Sequence, residues 1–231
     1  MTTIDCLKTA AAEAAVALVE SGQVVGLGTG STASLAVAIL GRRVTEGLRI
    51  IGIATSEKTE RDARRAGIRV STLEKHTHID VTIDGADEVD LRTRNLLKGR
   101  GGALLREKLV AGASDQLIIV VDDTKLVDRL GQHCAVAVEV VPFGVHATAR
   151  RLHGLGAHPT LRTTAQGRAF VTQDGHYILD CAFDVLDDPD DLGVQLDGTL
   201  GVVEHGLFLG MGALVIVGTS RGVNVLGDYG L

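Results

Sequence analysis

The residues most suited to chemistry in this sequence lie in four short segments, and the first has the composition of a phosphate-binding turn. It reads Gly-Leu-Gly-Thr-Gly-Ser-Thr over residues 26–32, between a strand-like and a helix-like segment. A glycine turn in that position exposes backbone N–H groups, and the dipole of the following helix favours a bound anion. The candidate ligands are Thr29, Gly30, Ser31 and Thr32. A nucleotide site and a purely structural turn are the alternatives that this segment leaves open.

The second segment is acidic and reads Asp-Gly-Ala-Asp-Glu-Val-Asp over residues 84–90. It follows an apolar strand-like segment, so we expect it at the carboxyl edge of a parallel sheet, where α/β proteins bind ligands. Its carboxylates can orient sugar hydroxyls or bind Mg²⁺. The cations Lys98 and Arg100 follow closely and can supply the counter-charge, which argues against a metal. A solvated acidic loop is the plain alternative.

The third segment, residues 98–108, is a glycine-rich loop that runs into a helix-like stretch. Lys98 can reach a phosphate or a developing oxyanion. Glu107 lies about one turn into the helix, where its side chain can point into the same pocket. The alternative is that Glu107 is a surface acid between Arg106 and Lys108.

Lys125 closes the fourth segment, which reads Asp-Asp-Thr-Lys over residues 122–125 and follows another apolar stretch. Its ammonium can close the pocket from another side, and a solvated lysine is the alternative. His76 and His78 share one face of a strand, but no third ligand follows nearby in sequence, so we expect no metal there.

The three cysteines, Cys6, Cys134 and Cys181, are too far apart for a Cys-x-x-Cys metal site and too few for a disulfide framework. We expect them to be small buried side chains.

Apolar and helix-like segments alternate through the first half of the chain, and they must position these residues. The segments are a helix over 4–20, a strand, turn and helix start over 23–31, strands over 49–54, 79–84 and 117–123, and helices over 57–66 and 103–111. Apolar strands that alternate with helices indicate an α/β fold, with an open, mostly parallel sheet and helices on both faces.

The pattern changes after about residue 130. A strand over 136–142, a helix near 145–155, a hairpin around Asp174-Gly175 and a short acidic helix predict a smaller α+β domain, inserted before the last strands. We therefore expect an α/β catalytic domain of residues 1–130 and 207–231 and a small α+β domain of residues 131–206.

The composition excludes several classes of function. The 231 residues include 23 basic and 29 acidic ones, a net charge of −6, with 3% aromatic residues and no Trp. An acidic chain without a basic block or aromatic platform is a poor nucleic-acid binder. No stretch is apolar enough to span a membrane, and the first 22 residues do not have the pattern of a signal peptide, so we expect a cytoplasmic protein.

Taken together and in this order, the segments resemble the type A ribose-5-phosphate isomerase family over nearly the whole chain. The matching segments are GLGTGST (26–32), Thr55-Ser56, DGADEVD (84–90), KGRGGALLREK (98–108), residues 122–125, VEVVP (138–142), VTQDGHYILD (171–180) and GVVEHGLF (201–208). The resemblance implies interconversion of D-ribose 5-phosphate and D-ribulose 5-phosphate in the non-oxidative pentose phosphate pathway. It also implies that no metal or organic cofactor is needed and that the chain forms a homodimer or homotetramer.

The resemblance assigns roles motif by motif. It implies that Glu107 is the proton acceptor and that Lys98, Asp84 and Asp87 complete the catalytic set. The substrate-binding residues that it implies are Thr29, Gly30, Ser31, Thr32, Asp84, Gly85, Ala86, Asp87, Lys98, Gly99, Arg100, Gly101 and Lys125. The chemistry fits, because one carboxylate can carry a proton between carbons 2 and 1 through a cis-enediol, while a lysine stabilises the enediolate.

The sequence departs from the family pattern at three places. Arg100 replaces a glycine, Thr124 stands where serine is common, and residues 135–137 lack a proline. We expect Arg100 either to contact phosphate or to face solvent.

Two other functions remain as alternatives. A non-catalytic phosphosugar-sensing domain would lack a DNA-binding element here, because residues 1–20 form one alanine-rich helix. A nucleotide-dependent enzyme would need an acid at the end of the second strand, which instead ends Ala54-Thr55-Ser56.

Overall fold

A computed structural model describes residues 3–184 and 186–227 of the chain. Its helices are α1 (Thr3–Ala17), α2 (Ser31–Thr45), α3 (Glu57–Arg65), α4 (Leu104–Gly112), α5 (Val145–Gly154) and α6 (Pro189–Asp197), with a 3-10 turn at Asp123–Lys125. Within the described residues, none of these helices has the length and apolarity needed to cross a bilayer.

The strands are mostly short. They are β1 (Val24–Leu27), β2 (Ile51–Ala54), β3 (Arg69–Ser71), β4 (Ile79–Asp84), β5 (Glu88–Asp90), β6 (Leu96–Leu97), β7 (Ser114–Asp122), β8 (Leu126–Val127), β9 (Val136–Val140), β10 (His158–Leu161), β11 (Tyr177–Ala182), β12 (Val202–His205), β13 (Leu207–Phe208), β14 (Leu214–Thr219) and β15 (Gly222–Leu226).

The chain packs as two compact units. The first unit contains the described residues of Met1–Ala86, Arg106–Leu126 and Met211–Leu231, and the second contains those of Asp87–Leu105 and Val127–Gly210. The domain boundaries expected from the sequence, at 130/131 and 206/207, remain a prediction.

The first unit is built on a seven-stranded sheet in the order β15-β14-β7-β4-β1-β2-β3. All neighbours pair in parallel except β14 and β15, which form an antiparallel edge. Strand β7 shows why: Leu117 to Val121 are apolar and buried throughout, as in a strand covered on both faces. The predicted open, mostly parallel α/β sheet is confirmed.

Helices cover this sheet on both sides. Ala11, Ala12 and Ala15 of α1 are fully buried in the core that packs on β1, β4, β7 and β14, and small side chains let the helix approach the sheet closely. On the other face, Val110 of α4 packs with Ile53 and Ile79.

The second unit contains a four-stranded antiparallel sheet in the order β10-β11-β9-β12, with α5 and α6, and a small ribbon in the order β13-β6-β5-β8. Its core includes Val136, Val138 and Val140 of β9 and Leu152 of α5. The smaller α+β part of the predicted fold is therefore confirmed.

The prediction of a hairpin around Asp174-Gly175 is wrong, because only the second of its two strands forms. Residues 177–182 do form β11, but β11 pairs with β10 and β9, not with residues 169–173. A tight turn does form there, since Thr172 N donates to His176 O at 2.8 Å. Residues 168–170 bond instead to residues 162–164: Phe170 N donates to Arg162 O at 2.8 Å, and Thr163 and Ala169 form an antiparallel bridge.

Candidate active site

The carboxyl edge of the first unit's sheet holds most of the candidate residues that this unit contributes. Strands β2 and β3 lie on one side of β1, and β4 and β7 lie on the other, so the order reverses between β1 and β4. Ligands of open α/β sheets bind outside the strand ends at such a point. The glycine turn follows β1, and Asp84 is the last residue of β4.

Asp84 and the glycine turn are joined by hydrogen bonds. Asp84 is buried, and its Oδ1 accepts from Thr29 N at 3.1 Å and from Gly85 N at 2.7 Å. A Cβ on Gly28 would lie 2.1 Å from that oxygen, so only glycine allows the approach. Gly85 in turn lies against Thr32. The sequence segments 26–32 and 84–86 therefore form one structure.

The turn leads into α2 in a form suited to an anion. Gly30 has a φ of 121°, a left-handed value that favours glycine, and it precedes the first helical residue, Ser31. Backbone N–H groups in the first turn of a 15-residue helix have no partner within the helix, and the dipole adds positive character.

Hydroxyl groups of Thr55, which follows β2, and Thr59, in α3, bond to the turn. Thr29 Oγ1 lies 2.8 Å from Thr55 Oγ1, and Thr59 Oγ1 donates to Gly28 O at 3.0 Å. Ser56 caps α3 by accepting from Thr59 N. These contacts fix the backbone of the turn before any ligand is bound.

Lys8 is a residue of this region that the sequence interpretation missed. It extends from α1, and its Nζ lies 3.4 Å from Ser31 Oγ and 3.7 Å from the carboxylate of Asp122. Its side chain is only 17% exposed. In the sequence, Lys8 is a single cation in an alanine-rich helix. Nothing nearby in the sequence indicates that it lies against the start of α2.

Lys125 lies at the same edge, on the 3-10 turn after β7, and is half-buried. Asp122 starts that turn and accepts hydrogen bonds from the N–H and the hydroxyl of Thr124. Serine has the same hydroxyl, so Thr124 keeps this contact despite its departure from the family pattern.

Glu107 is in the first turn of α4 and is only 4% exposed. The interpretation of this residue as a surface acid is therefore wrong. A buried carboxylate is uncommon in proteins, and such groups concentrate at functional sites.

In the second unit, a short hairpin sets Asp87 beside Lys98. Strands β5 and β6 pair antiparallel with Glu88 opposite Leu97, so Asp87 and Lys98 occupy the two adjoining positions. Asp87 N donates to Leu97 O at 2.8 Å, and Asp87 Oδ2 accepts from Arg100 N at 2.9 Å. The hairpin brings these candidate residues together.

Lys98 is buried, at 4% exposure, with its ammonium 5.5 Å from the centre of the Phe208 ring. Its N–H donates to Gly206 O at 2.8 Å. A Cβ on Gly206 would lie 2.1 Å from Lys98 O, so the strand contact requires glycine. An aromatic face next to an ammonium stabilises the charge without neutralising it.

The loop after Lys98 accommodates Arg100 because the positions with positive φ, which favour glycine, are Gly99 and Gly102. Gly99 and Gly102 have φ values of 110° and 76°, whereas Arg100 lies outside the left-handed region. The Arg100 side chain is exposed and lines a cavity of about 320 Å³ together with Asp87 and Arg162.

The remaining acids of segment 84–90 have structural roles. Glu88 is buried and accepts from the backbone N–H groups of Gly131, His133 and Cys134 at 2.6–2.7 Å. Asp90 Oδ1 accepts from Arg92 N and from Thr93 N, which closes a local turn. Asp84 and Asp87 of this segment, by contrast, bond to the glycine-rich loops.

Two clusters of side chains among the described residues have the chemistry of metal ligands: His78 with Asp80 and Asp115, and His205 with Asp197 and Glu204. His78, Asp80 and Asp115 cluster near the starts of β4 and β7, the opposite edge of the first unit's sheet. In the second unit, His205 Nδ1 accepts from Leu207 N and its Nε2 lies 3.2 Å from Asp197, so both ring nitrogens are engaged.

The predicted site residues thus form two sets. Thr29–Thr32, Asp84–Ala86 and Lys125 share the carboxyl edge of the first unit's sheet, and Glu107 belongs to the same unit. Asp87 and Lys98–Gly101 form the second unit's set.

Comparison with known proteins identifies the family. The family model for ribose 5-phosphate isomerase A (phosphoriboisomerase A) matches residues 51–222. Ribose-5-phosphate isomerase A of Gloeobacter violaceus is 56% identical over 223 residues, which cover 96% of each chain. That of Thermomicrobium roseum is 51% identical, over 95% of this chain and 92% of its own.

Solved structures agree with the sequence matches. A D-ribose-5-phosphate isomerase in complex with phospho-erythronic acid superposes with a TM-score of 0.94 and 36% identity, over 98% of this chain and 100% of its own. Ribose 5-phosphate isomerase from Plasmodium falciparum gives 0.93 and 39%, over 97% and 99%. The chain belongs to the ribose 5-phosphate isomerase A family.

Proposed function

We propose that this aldose–ketose isomerase interconverts D-ribose 5-phosphate and D-ribulose 5-phosphate through a cis-enediol, with Glu107 as the proton carrier. The observation that carries the proposal is the burial of two charged side chains, Glu107 of α4 and Lys98 of the glycine-rich loop, each 4% exposed. Charged groups are seldom buried to this extent without a function or a partner charge.

The phosphate of the substrate is assigned to the glycine turn of the first unit. The N-terminal end of α2, the hydroxyls of Ser31 and Thr32, and the ammonium of Lys8 support this assignment. Lys125 contributes a second cation at the same sheet edge. Binding of this non-reacting group helps to position the carbons that react.

Each side chain then has one task in the reaction. Glu107 removes the proton from carbon 2 of the open-chain aldose, while the oxygen on carbon 1 gains negative charge. Lys98 stabilises that oxygen, and a preorganised donor of this kind contributes about 3–4 kcal/mol. The proton of the hydroxyl on carbon 2 then passes to the oxygen on carbon 1, and Glu107 returns its own proton to carbon 1 as carbon 2 becomes the ketone.

Asp84 and Asp87 accept hydrogen bonds from sugar hydroxyls and pass a proton during ring opening. The bonds that hold them support these roles, since Thr29 N fixes the carboxylate of Asp84 in the first unit and Arg100 N fixes that of Asp87 in the second. An ionised carboxylate cannot itself stabilise the enediolate, so that task falls to Lys98.

Phospho-erythronic acid, described in complex with a solved relative, gives a probe for this chain. It carries a phosphate and a carboxylate, and a carboxylate resembles an enediolate in its shared negative charge. We expect it to inhibit competitively with ribose 5-phosphate, as a compound that resembles the transition state does.

The proposed activity is tested by the initial rate of ribulose 5-phosphate formation from ribose 5-phosphate, with EDTA present and no cofactor added. We expect a rate far above the uncatalysed background. A folded protein that binds ribose 5-phosphate without turnover would instead support the phosphosugar-sensing alternative.

We further propose that the chain assembles as a homodimer or homotetramer through an apolar surface of the second unit. Phe143 is 94% exposed, and Leu200 and Val141 are also exposed. Val141 N donates to Gly201 O at 3.0 Å, so these side chains come from adjacent segments. Light scattering should give a mass above that of one chain, and Phe143→Asp should lower it.

A cytoplasmic location is proposed as well. All three cysteines lie in the described residues and none is in a disulfide, as is usual in a reducing compartment. Cell fractionation tests this location.

A further inference from the structure

Arg162 has no part in the reaction described above, yet its guanidinium makes four hydrogen bonds within the second unit. It follows β10, and its Nε donates to Asp180 Oδ2 at 3.0 Å, while one terminal nitrogen bonds the other carboxylate oxygen. The other terminal nitrogen donates to Gly99 O at 2.8 Å and to Arg100 O at 3.2 Å. The side chain is only 16% exposed.

The fold presents this guanidinium in a fixed orientation. Arg162 N donates to Ile178 O, and Asp180 lies two residues further along β11, on the same face of the sheet. Such diagonal neighbours are within reach of a long side chain. The Phe170 ring lies 5.9 Å from the guanidinium carbon, and the same ring packs on Gly102 of the loop.

The important contact is with a single peptide group. Gly99 O and Arg100 N belong to the same peptide unit, and the two atoms point in opposite directions in a trans peptide. Arg162 binds the oxygen on one side, and Asp87 Oδ2 accepts from the N–H on the other side at 2.9 Å. A continuous chain therefore runs from Asp180 through Arg162 and this peptide to Asp87.

Because residue 99 is glycine, the plane of the Gly99–Arg100 peptide can rotate easily. Gly99 has a φ of 110° and no side chain to oppose rotation of the following peptide plane. The reversed plane would point a carbonyl oxygen, not an N–H, at the carboxylate of Asp87. Bonds to the guanidinium oppose that reversal, and polarisation along the chain strengthens the bond to Asp87.

We propose that Arg162, held by Asp180, is a positioning residue that fixes the Gly99–Arg100 peptide and through it the carboxylate of Asp87. The proposal rests on the function proposed above, because it assigns Arg162 a role through Asp87. Lysine cannot replace arginine here, since it has no planar fork to bind a carboxylate and two carbonyls together.

The test compares Arg162→Met and Arg162→Lys with the wild type and with Arg168→Met, an exposed arginine a few residues along the chain. We expect kcat to fall about 10- to 100-fold in both Arg162 variants, the scale of a small misplacement of a reacting group. KM and the inhibition constant of inorganic phosphate should change less than about threefold, because phosphate is assigned to the turn in the first unit.

Guanidinium added to Arg162→Ala should restore part of kcat, and ammonium should not.

A double-mutant cycle with Asp87→Asn separates positioning from a general structural effect. If Arg162 acts through Asp87, Arg162→Lys costs clearly less in the Asp87→Asn background than in the wild type. Equal costs in the two backgrounds, a kcat equal to that of Arg168→Met, or a loss confined to KM would each overturn the proposal. A wild type without isomerase activity would overturn the proposed function itself, whereas an active wild type with unaffected Arg162 variants would overturn only the positioning role.

Discussion

Gly28 and Asp84 show how one residue type can decide the geometry of the phosphate turn. A Cβ at Gly28 would lie 2.1 Å from Asp84 Oδ1. We expect Gly28→Ala to displace the carboxylate and break its bond with Thr29 N, at a cost of roughly 1–3 kcal/mol. Thermal unfolding should show a Tm lower by about 2–10 °C, and KM for ribose 5-phosphate should rise.

Gly154→Ala is the matched control for that variant, since a Cβ there meets no atom within 4 Å and the residue is helical. Its KM should stay at the wild-type value, and its Tm should be equal to or slightly above that of the wild type, because alanine is favoured over glycine in a helix. A Gly28→Ala protein that behaves like this control would contradict the close approach of Asp84 to the turn.

Cys181 allows a test of burial in the second unit. Burial raises the pKa of its thiol to about 12 from 9.0, and the Asp180 carboxylate adds to the shift. Because the thiolate is the reactive form, Cys181 stays unreactive at pH 8 in the folded protein. Its protonated form favours folding below pH 9, and this contribution is lost as the pH rises towards 12.

Mass spectrometry after treatment with a thiol reagent at pH 8 checks this expectation. Cys6 is exposed and should be labelled in the native protein, whereas Cys181 should be labelled only after unfolding. Labelling of both at the same rate would contradict the burial of Cys181. The sequence interpretation, which expected all three cysteines to be buried, is wrong for Cys6, which α1 exposes to solvent, and Cys134 is only half-buried.

At the scale of elements, the sequence predicts those features that depend on residues adjacent in the chain. The turn between β1 and α2 is predictable because glycine, hydroxyl residues and the strand before them are adjacent in the chain. Contacts between elements that are distant in the chain are not predictable in this way. Lys8 contacts Ser31 because α1 packs beside α2, and Arg162 bonds to Gly99 although 63 positions separate them. The hairpin at Asp174 fails for the same reason, since residues 168–170 bond to residues 162–164 and β11 pairs with β9 and β10.

The packing of α1 against α2 leads to a prediction for Lys8. We expect Lys8→Met to raise KM for ribose 5-phosphate and the inhibition constant of inorganic phosphate by about tenfold or more, with kcat little changed. The reason is the loss of one charge-assisted contact, worth about 1.5–3 kcal/mol. Steady-state kinetics at fixed ionic strength measure both constants.

Lys75→Met, which changes an exposed lysine, controls for the loss of one positive charge. Its constants should match the wild type. If Lys8→Met leaves the inhibition constant of phosphate unchanged, Lys8 does not contact the phosphate.

At the scale of the whole molecule, the sequence predicts the class of fold and the family, but not the pairing of distant strands. The alternation of apolar strands and helices suffices for the parallel sheet. The order β10-β11-β9-β12 depends on long-range pairing that no local pattern encodes. Residues 87–105 pack with the second unit, although the sequence assigns them to the catalytic domain. The roles of the individual site residues remain predictions.

The measurement that tests the central claim most directly is kcat of Glu107→Gln beside the wild type and Glu46→Gln, an exposed acid at the end of α2. Glutamine keeps the size of the side chain but cannot accept the proton from carbon 2. We predict a fall in kcat of at least about 10²-fold, the scale of a lost general base, with Tm close to that of the wild type. A Glu107→Gln enzyme that turns over ribose 5-phosphate at the rate of Glu46→Gln would contradict the assignment of Glu107 as the base.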